Sequence, residues 1–110
     1  MKYYRYLYTG GSVKNVDKYK LRLKIHKDLV GFFVLTLAEG PNQIDILNAF
    51  NLKLPYYRKH PPVVVGIAKN YEEAVEIVIR MTTEALEHTG SADIRNYLKL
   101  RAKTKDFTTE

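Results

Sequence analysis

The chain has no cysteine and no tryptophan among its 110 residues, and only two methionines and four prolines. Without cysteine there are no disulfides and no thiolate-ligated zinc or iron–sulfur centre. The longest apolar runs, residues 29–38 and 63–68, fall well short of the roughly 20 residues that a bilayer-crossing helix needs. The opening Met1-Lys2-Tyr3-Tyr4-Arg5-Tyr6 lacks the apolar centre of a secretory signal. No glycine-rich phosphate loop is present either. Gly66 stands alone, with neither the Walker spacing nor the three-glycine dinucleotide spacing around it. His26, His60 and His88 are far apart, and none has a partner at metal-ligand spacing. No nucleophile motif or paired-carboxylate arrangement is evident. The sequence therefore assigns no catalytic residue, no metal ligand and no cofactor. It reads as a non-enzymatic cytoplasmic protein with no membrane partner.

A chain of this length forms one domain, and 45% apolar residues suffice for a core. The expected domain spans residues 1–103, with 104–110 a polar C-terminal tail. The net charge of +6 is unevenly spread. Residues 1–30 hold eight Lys or Arg against two Asp, whereas residues 71–90 hold one Arg against five Glu. A basic first third and one acidic segment suit either a polyanionic partner or protein–protein pairing.

The most informative stretch is Val63-Val64-Val65-Gly66-Ile67-Ala68 and the segment after it. Six apolar or small residues read as a buried strand. Asn70 is a favoured N-cap and Glu73 stands at the third helical position, so a helix is expected from there to about Thr89, with Gly90 as its left-handed stop. Elsewhere, Tyr3 to Tyr8 reads as a strand rich in β-favouring aromatics. Residues 31–38 read as a second strand, followed by a turn and a short return strand over Ile44 to Leu47. Residues 13–27 are ambiguous. Val16, Tyr19 and Leu23 fall at helical intervals, while Tyr19, Leu21, Leu23 and Ile25 alternate as in a strand. Helix is favoured, because Lys, Leu and Arg are good helix formers. A short helix limited by Pro55 is expected within residues 49–57. Ser91 can cap a last helix that runs to about Lys103.

These elements predict an α+β fold with one small sheet of three or four strands and helices packed on it, in the order β-α-β-β-(α)-β-α-α. A ferredoxin-like arrangement is the nearest common layout. The strand order is not derivable.

Four surfaces carry functional expectations. The long helix is apolar over more than one side, with Ala74, Val75, Val78, Thr82, Ala85 and Leu86 as its expected core stripe. Ile77, Ile79 and Met81 are left to meet either the terminal helix or a partner. This makes a self-associating or protein-docking module the leading reading, with a homodimer as one form of it. The second reading is nucleic-acid binding. It places Tyr4, Tyr6 and Tyr8 on one strand face as stacking groups, beside the basic residues Lys20, Arg22 and Lys24. Lys69 and Asn70, at the start of a helix, form a candidate anion site. Tyr56, Tyr57 and Arg58 form a candidate recognition loop.

Overall fold

The computed structural model of the chain describes residues 2–38, 43–102 and 108–109. In chain order these form β1 (Lys2–Thr9), α1 (Val16–Ile25), β2 (Phe33–Leu37), β3 (Ile44–Asn48), a 3-10 turn (Ala49–Lys53) and α2 (Pro55–Lys59). Then follow β4 (Val63–Ala68), α3 (Tyr71–Thr89), α4 (Ile94–Ala102) and the two-residue β5 (Thr108–Thr109). The fold is α+β, as the sequence indicates. Within the tail expected over 104–110, Thr108 and Thr109 instead pair antiparallel with Tyr4 and Tyr3 as a fifth strand. The other tail residues lie outside the described residues.

The sheet order is β3-β2-β4-β1-β5. β4 runs parallel to β1 and antiparallel to β2. Side chains alternate across a strand, and a one-residue register shift, where Thr36 pairs with Val64 but Leu35 with Gly66, moves the alternation by one, so β4 feeds two cores. Val64 and Ile67 join Tyr3, Tyr19, Leu23, Phe32, Val34 and Leu52 on one face. Val65 and Ala68 join Tyr4, Tyr8, Leu35, Ile77, Met81, Tyr97 and Leu98 on the other. Helix α1 and the 3-10 turn therefore cover the first face, and α3 and α4 the second. A ferredoxin-like layout keeps its helices on one face of an antiparallel sheet. The parallel β1–β4 pair and the helices on both faces set this fold apart from it.

Local signals account for most elements. In α3, the Asn70 side chain accepts from the Glu73 N–H at 2.9 Å, and Gly90 ends the helix at φ 72°. In α1 the helical period wins. Tyr19 and Leu23, four residues apart, are buried, whereas Leu21 and Ile25 are about half exposed. A strand would have sent all four to one face. Pro55 starts α2 rather than limiting a helix, because the first turn needs no N–H from that position. The cap of α4 is Asp93, whose carboxylate accepts from the Asn96 N–H at 3.1 Å, while Ser91 holds the Asp93 N–H.

The core stripe of α3 differs from the expected one. Ala74, Ile77, Met81 and Ala85 are fully buried. Their spacing of three, four and four residues traces a single helix face. Leu86 is about half exposed and Val78 is only partly buried. The reason is α4, which packs beside α3 and contributes Ile94, Tyr97, Leu98 and Ala102 to the same core. The contact face of α3 is thereby rotated from the one its composition suggests. Gly66 assists the approach. A Cβ there would lie 3.2 Å from Leu35 Cδ1 and 3.5 Å from Ile77 Cγ2, so the missing side chain lets α3 sit close to the sheet.

This assignment makes a sharp contrast. Ile77→Ala should lower unfolding free energy by about 2–5 kcal/mol, the usual cost of emptying an aliphatic core site. Ile79→Ala, on the exposed side, should change it by no more than about 0.5 kcal/mol. Urea denaturation of the two variants checks both values.

Candidate functional site

The α1-covered face carries a groove. Its floor is apolar, made by Tyr3 of β1, Leu23 of α1 and Leu52 of the 3-10 turn, with Tyr57 of α2 and Pro61 along one side. Its rim holds Lys20 and Lys24 of α1, His26 just after it, and Arg58 of α2. The cavity measures about 700 Å³, and no Asp or Glu is among its lining residues. Three basic side chains thus surround an open, partly apolar space with no counter-charge among the described residues that line it. Sites of this kind attract anions from a distance and hold them where the surrounding walls are of low polarity.

Each lining group has a structural cause. Lys20 and Lys24 are four apart on a helix whose Tyr19 and Leu23 point inward, so their side chains flank that buried pair. The Lys20 Nζ stands 4.8 Å from the centre of the Tyr3 ring, a cation–π contact that holds it at the groove mouth. His26 ends α1 in the left-handed conformation, at φ 54°. Its Nδ1 is buried and meets no hydrogen-bond partner among the described residues. Arg58 arrives from α2, which returns the chain from β3 to β4 across this face. Tyr56 and Tyr57 meet edge to face at 5.2 Å, and Tyr56 lies 4.9 Å from the His60 ring. Tyr56 is 64% exposed. Tyr56, Tyr57 and Arg58, expected as a loop, are instead three consecutive residues of α2, which starts from Pro55.

The tyrosine row of β1 does not form the stacking surface expected of it. Tyr4 and Tyr8 do share a face, but α4 covers it, and both are buried. Their rings stack at 6.4 Å. The Tyr4 hydroxyl donates to the Leu98 carbonyl at 2.8 Å, and the Tyr8 hydroxyl to Glu84 Oε1 at 2.6 Å. Tyr97 donates to the same oxygen at 3.2 Å, and Arg101 Nη1 donates to the Tyr8 hydroxyl at 3.0 Å. Tyr6 alone remains partly open, with the Arg101 guanidinium over its ring at 5.1 Å. This cluster ties β1, α3 and α4 together and leaves no face of Tyr4 or Tyr8 for a base. Of the expected nucleic-acid residues, Lys20 and Lys24 reach the groove. Arg22 packs over Tyr19 at 5.3 Å.

The Lys69–Asn70 helix start is already occupied by an anion of the chain itself. Glu73 Oε1 accepts from the Lys69 backbone N–H at 3.3 Å, and the Asn70 side chain takes the Glu73 N–H. A hydrogen bond from Ser12, together with the Lys69 N–H and charge, holds the Glu73 carboxyl below the usual carboxylate range. Gly10 leaves room for it, since a Cβ there would collide with the Glu73 carboxylate. The capping box thus fills the place where an external anion would sit.

The docking set also divides. Ile77 and Met81 are buried within the chain by the sheet and α4, and only Ile79 is exposed. The doubly apolar character of α3 is largely resolved by its own terminal helix. Among the described residues no three His, Asp or Glu side chains are placed to hold a metal ion, and no helix is long and apolar enough to cross a membrane.

Comparison of the chain with protein-family models, with curated proteins and with solved structures finds no match.

Burial pushes the Tyr4 phenol from its ordinary 10.0 up to about 12, and raises Tyr8 as well, with the Glu84 hydrogen bond adding to the effect. A phenol raised in the folded state is neutral in both states below about pH 10. Its contribution is therefore constant there and is lost as pH climbs above 10, where only the unfolded chain ionises freely. Unfolding free energy should be flat across neutral pH and fall steeply above pH 10. Denaturation at stepped pH checks this, and Tyr4→Phe should make the alkaline fall shallower.

Proposed function

We propose that the protein is a nucleic-acid-binding module whose interface is the groove between α1 and α2. One observation carries this reading. Lys20, Lys24 and Arg58 surround a single groove that contains no carboxylate among the described residues, and the Tyr57 ring lies along its side. Phosphate groups supply the complementary charge, and a base supplies a face for Tyr57. The interface differs from the one the sequence suggests. The lysines are those expected, but the aromatic group comes from α2 in place of Tyr4 and Tyr8. The reading is one of binding, and no reaction is assigned.

Fluorescence anisotropy with a labelled oligonucleotide tests it. Affinity should fall steeply between about 50 and about 200 mM salt, since binding releases counterions condensed on the phosphates. Lys24→Ala and Arg58→Ala should each weaken binding across all sequences and lower the salt slope by about one. Absence of binding at the lower salt would remove the proposal.

A second reading, self-association, retains one observation in its favour. Tyr71, Ile79 and Leu86, each about half exposed or more, lie on the side of α3 turned towards β2, where Tyr71 meets Phe33 at 6.1 Å. Beyond β2 lies β3, a sheet-edge strand with neither proline nor lysine to blunt it. A pair of copies joined there would register as a dimer mass in light scattering, and Ile79→Glu would return it to monomer. A monomer mass for the unaltered chain at high concentration would end this reading.

A further inference from the structure

A second groove adjoins the first. It measures about 530 Å³, and Asp45, Tyr56, Tyr57, Pro61, Arg95 and Lys99 are among the residues that line it. Tyr57 and Pro61 line both cavities. The two grooves therefore adjoin as one track, with Tyr57 and Pro61 as the ridge between them. Tyr56 lines the second groove beside this ridge, largely exposed, with its ring against those of Tyr57 and His60. Positive charge lies at both ends, with Lys20, Lys24 and Arg58 before the ridge and Arg95 and Lys99 of α4 beyond it. Among the described residues, Asp45 is the one carboxylate that lines the track.

We infer that this track holds a single-stranded nucleic acid that crosses the α2 ridge, with one base stacked on Tyr56 and backbone phosphates at both ends. The inference rests on the proposed nucleic-acid reading and narrows it in two ways. The first concerns strandedness. A duplex keeps its bases stacked on each other and presents only their edges, so an exposed tyrosine ring gains nothing from it. An unpaired base offers its whole π-face, and stacking of this kind tolerates any base. The second concerns length. A mononucleotide fits one groove and one set of charges. Only a strand can engage Lys24 and Lys99 together, because these lie on opposite sides of the ridge. Such a strand gains from both sets through a single chain, and its effective local concentration at the second groove is high once the first is filled.

The experiment is a length series of labelled oligothymidylates, from a dinucleotide to a strand of roughly 16 nucleotides, the upper end of typical single-strand site sizes. Affinity should rise in a step once the strand is long enough to cross the ridge. Lys99→Glu should abolish that step. Tyr56→Ala should weaken the long strand by about 5- to 150-fold, the range measured for loss of one stacked base, while Tyr56→Phe should retain the wild-type affinity. A duplex of equal length should compete poorly. Three results overturn the inference while leaving the broader reading in place. They are a step that survives Lys99→Glu, full affinity in Tyr56→Ala, and equal competition by duplex. Failure of every oligonucleotide to bind the unaltered chain would overturn the inference and the broader reading together. Circular dichroism of each variant confirms that the fold is kept, which is expected because Tyr56 and Lys99 are exposed.

Discussion

Strand β4 is the constraint on which the molecule depends. Both of its edges are paired, with β1 on one side and β2 on the other, and both of its faces are covered. Its side chains are the contact between two cores that otherwise share only the sheet. Val64 and Ile67 have no accessible surface on one face, and Val65 and Ala68 have none on the other. A strand in that position has no room for a charge, a proline or a one-residue slip, because a slip would send every side chain to the wrong core. The near-continuous apolar run of β4 follows from this. So does Gly66, where a side chain would press on Leu35 and on Ile77 of α3.

The candidate interface follows from the same arrangement. With both faces of the sheet covered, the connection from β3 back to β4 must cross over β2 on the α1 side. It does so through the 3-10 turn and α2. That path brings Arg58 to the lysines of α1 across 34 residues of sequence. The groove is the space left between two short helices that do not meet closely, over Leu23 and Leu52 as floor. On the other face, α3 and α4 pack tightly and leave their tyrosines engaged with Glu84 and Arg101. One side of the sheet is thus closed by hydrogen bonds that tyrosine hydroxyls donate to Glu84 and the Leu98 carbonyl, and the other is open and basic.

Legibility in the sequence followed the range of each interaction. Asn70, Glu73 and Gly90 act within a few residues of one another, and the bounds of α3 were readable from them. The strand character of residues 63–68 was readable for the same reason. Which side of α3 faces the core was not readable, because Val75, Ile79 and Leu86 repeat at helical spacing as well as Ala74, Ile77, Met81 and Ala85 do. Only the position of α4 decides between the two stripes. The tyrosines of β1 were correctly placed on alternate faces, yet alternation carries no information about which face is covered. The groove combines Lys20 and Lys24, which the sequence singled out as a basic stretch, with Tyr57 and Arg58, which it singled out separately. Their union depends on the crossover and on helices lying on both faces, neither of which has a local signature.

The Glu73 carboxylate joins three parts of the chain at once: the turn after β1 through Ser12, the end of β4 through the Lys69 amide, and the first turn of α3. It acts as a stitch whose thread is a negative charge. Its acidity is increased in the folded chain, so the stitch is fully drawn above the ordinary carboxylate range and slips out as acid titrates it. Slippage would free the residue 10–12 turn and the β4–α3 junction together, while the two cores stay packed. Acid below the ordinary carboxylate range would therefore loosen one corner of the molecule before the whole, and the amide of Lys69 would exchange its hydrogen with solvent earlier than those within β4.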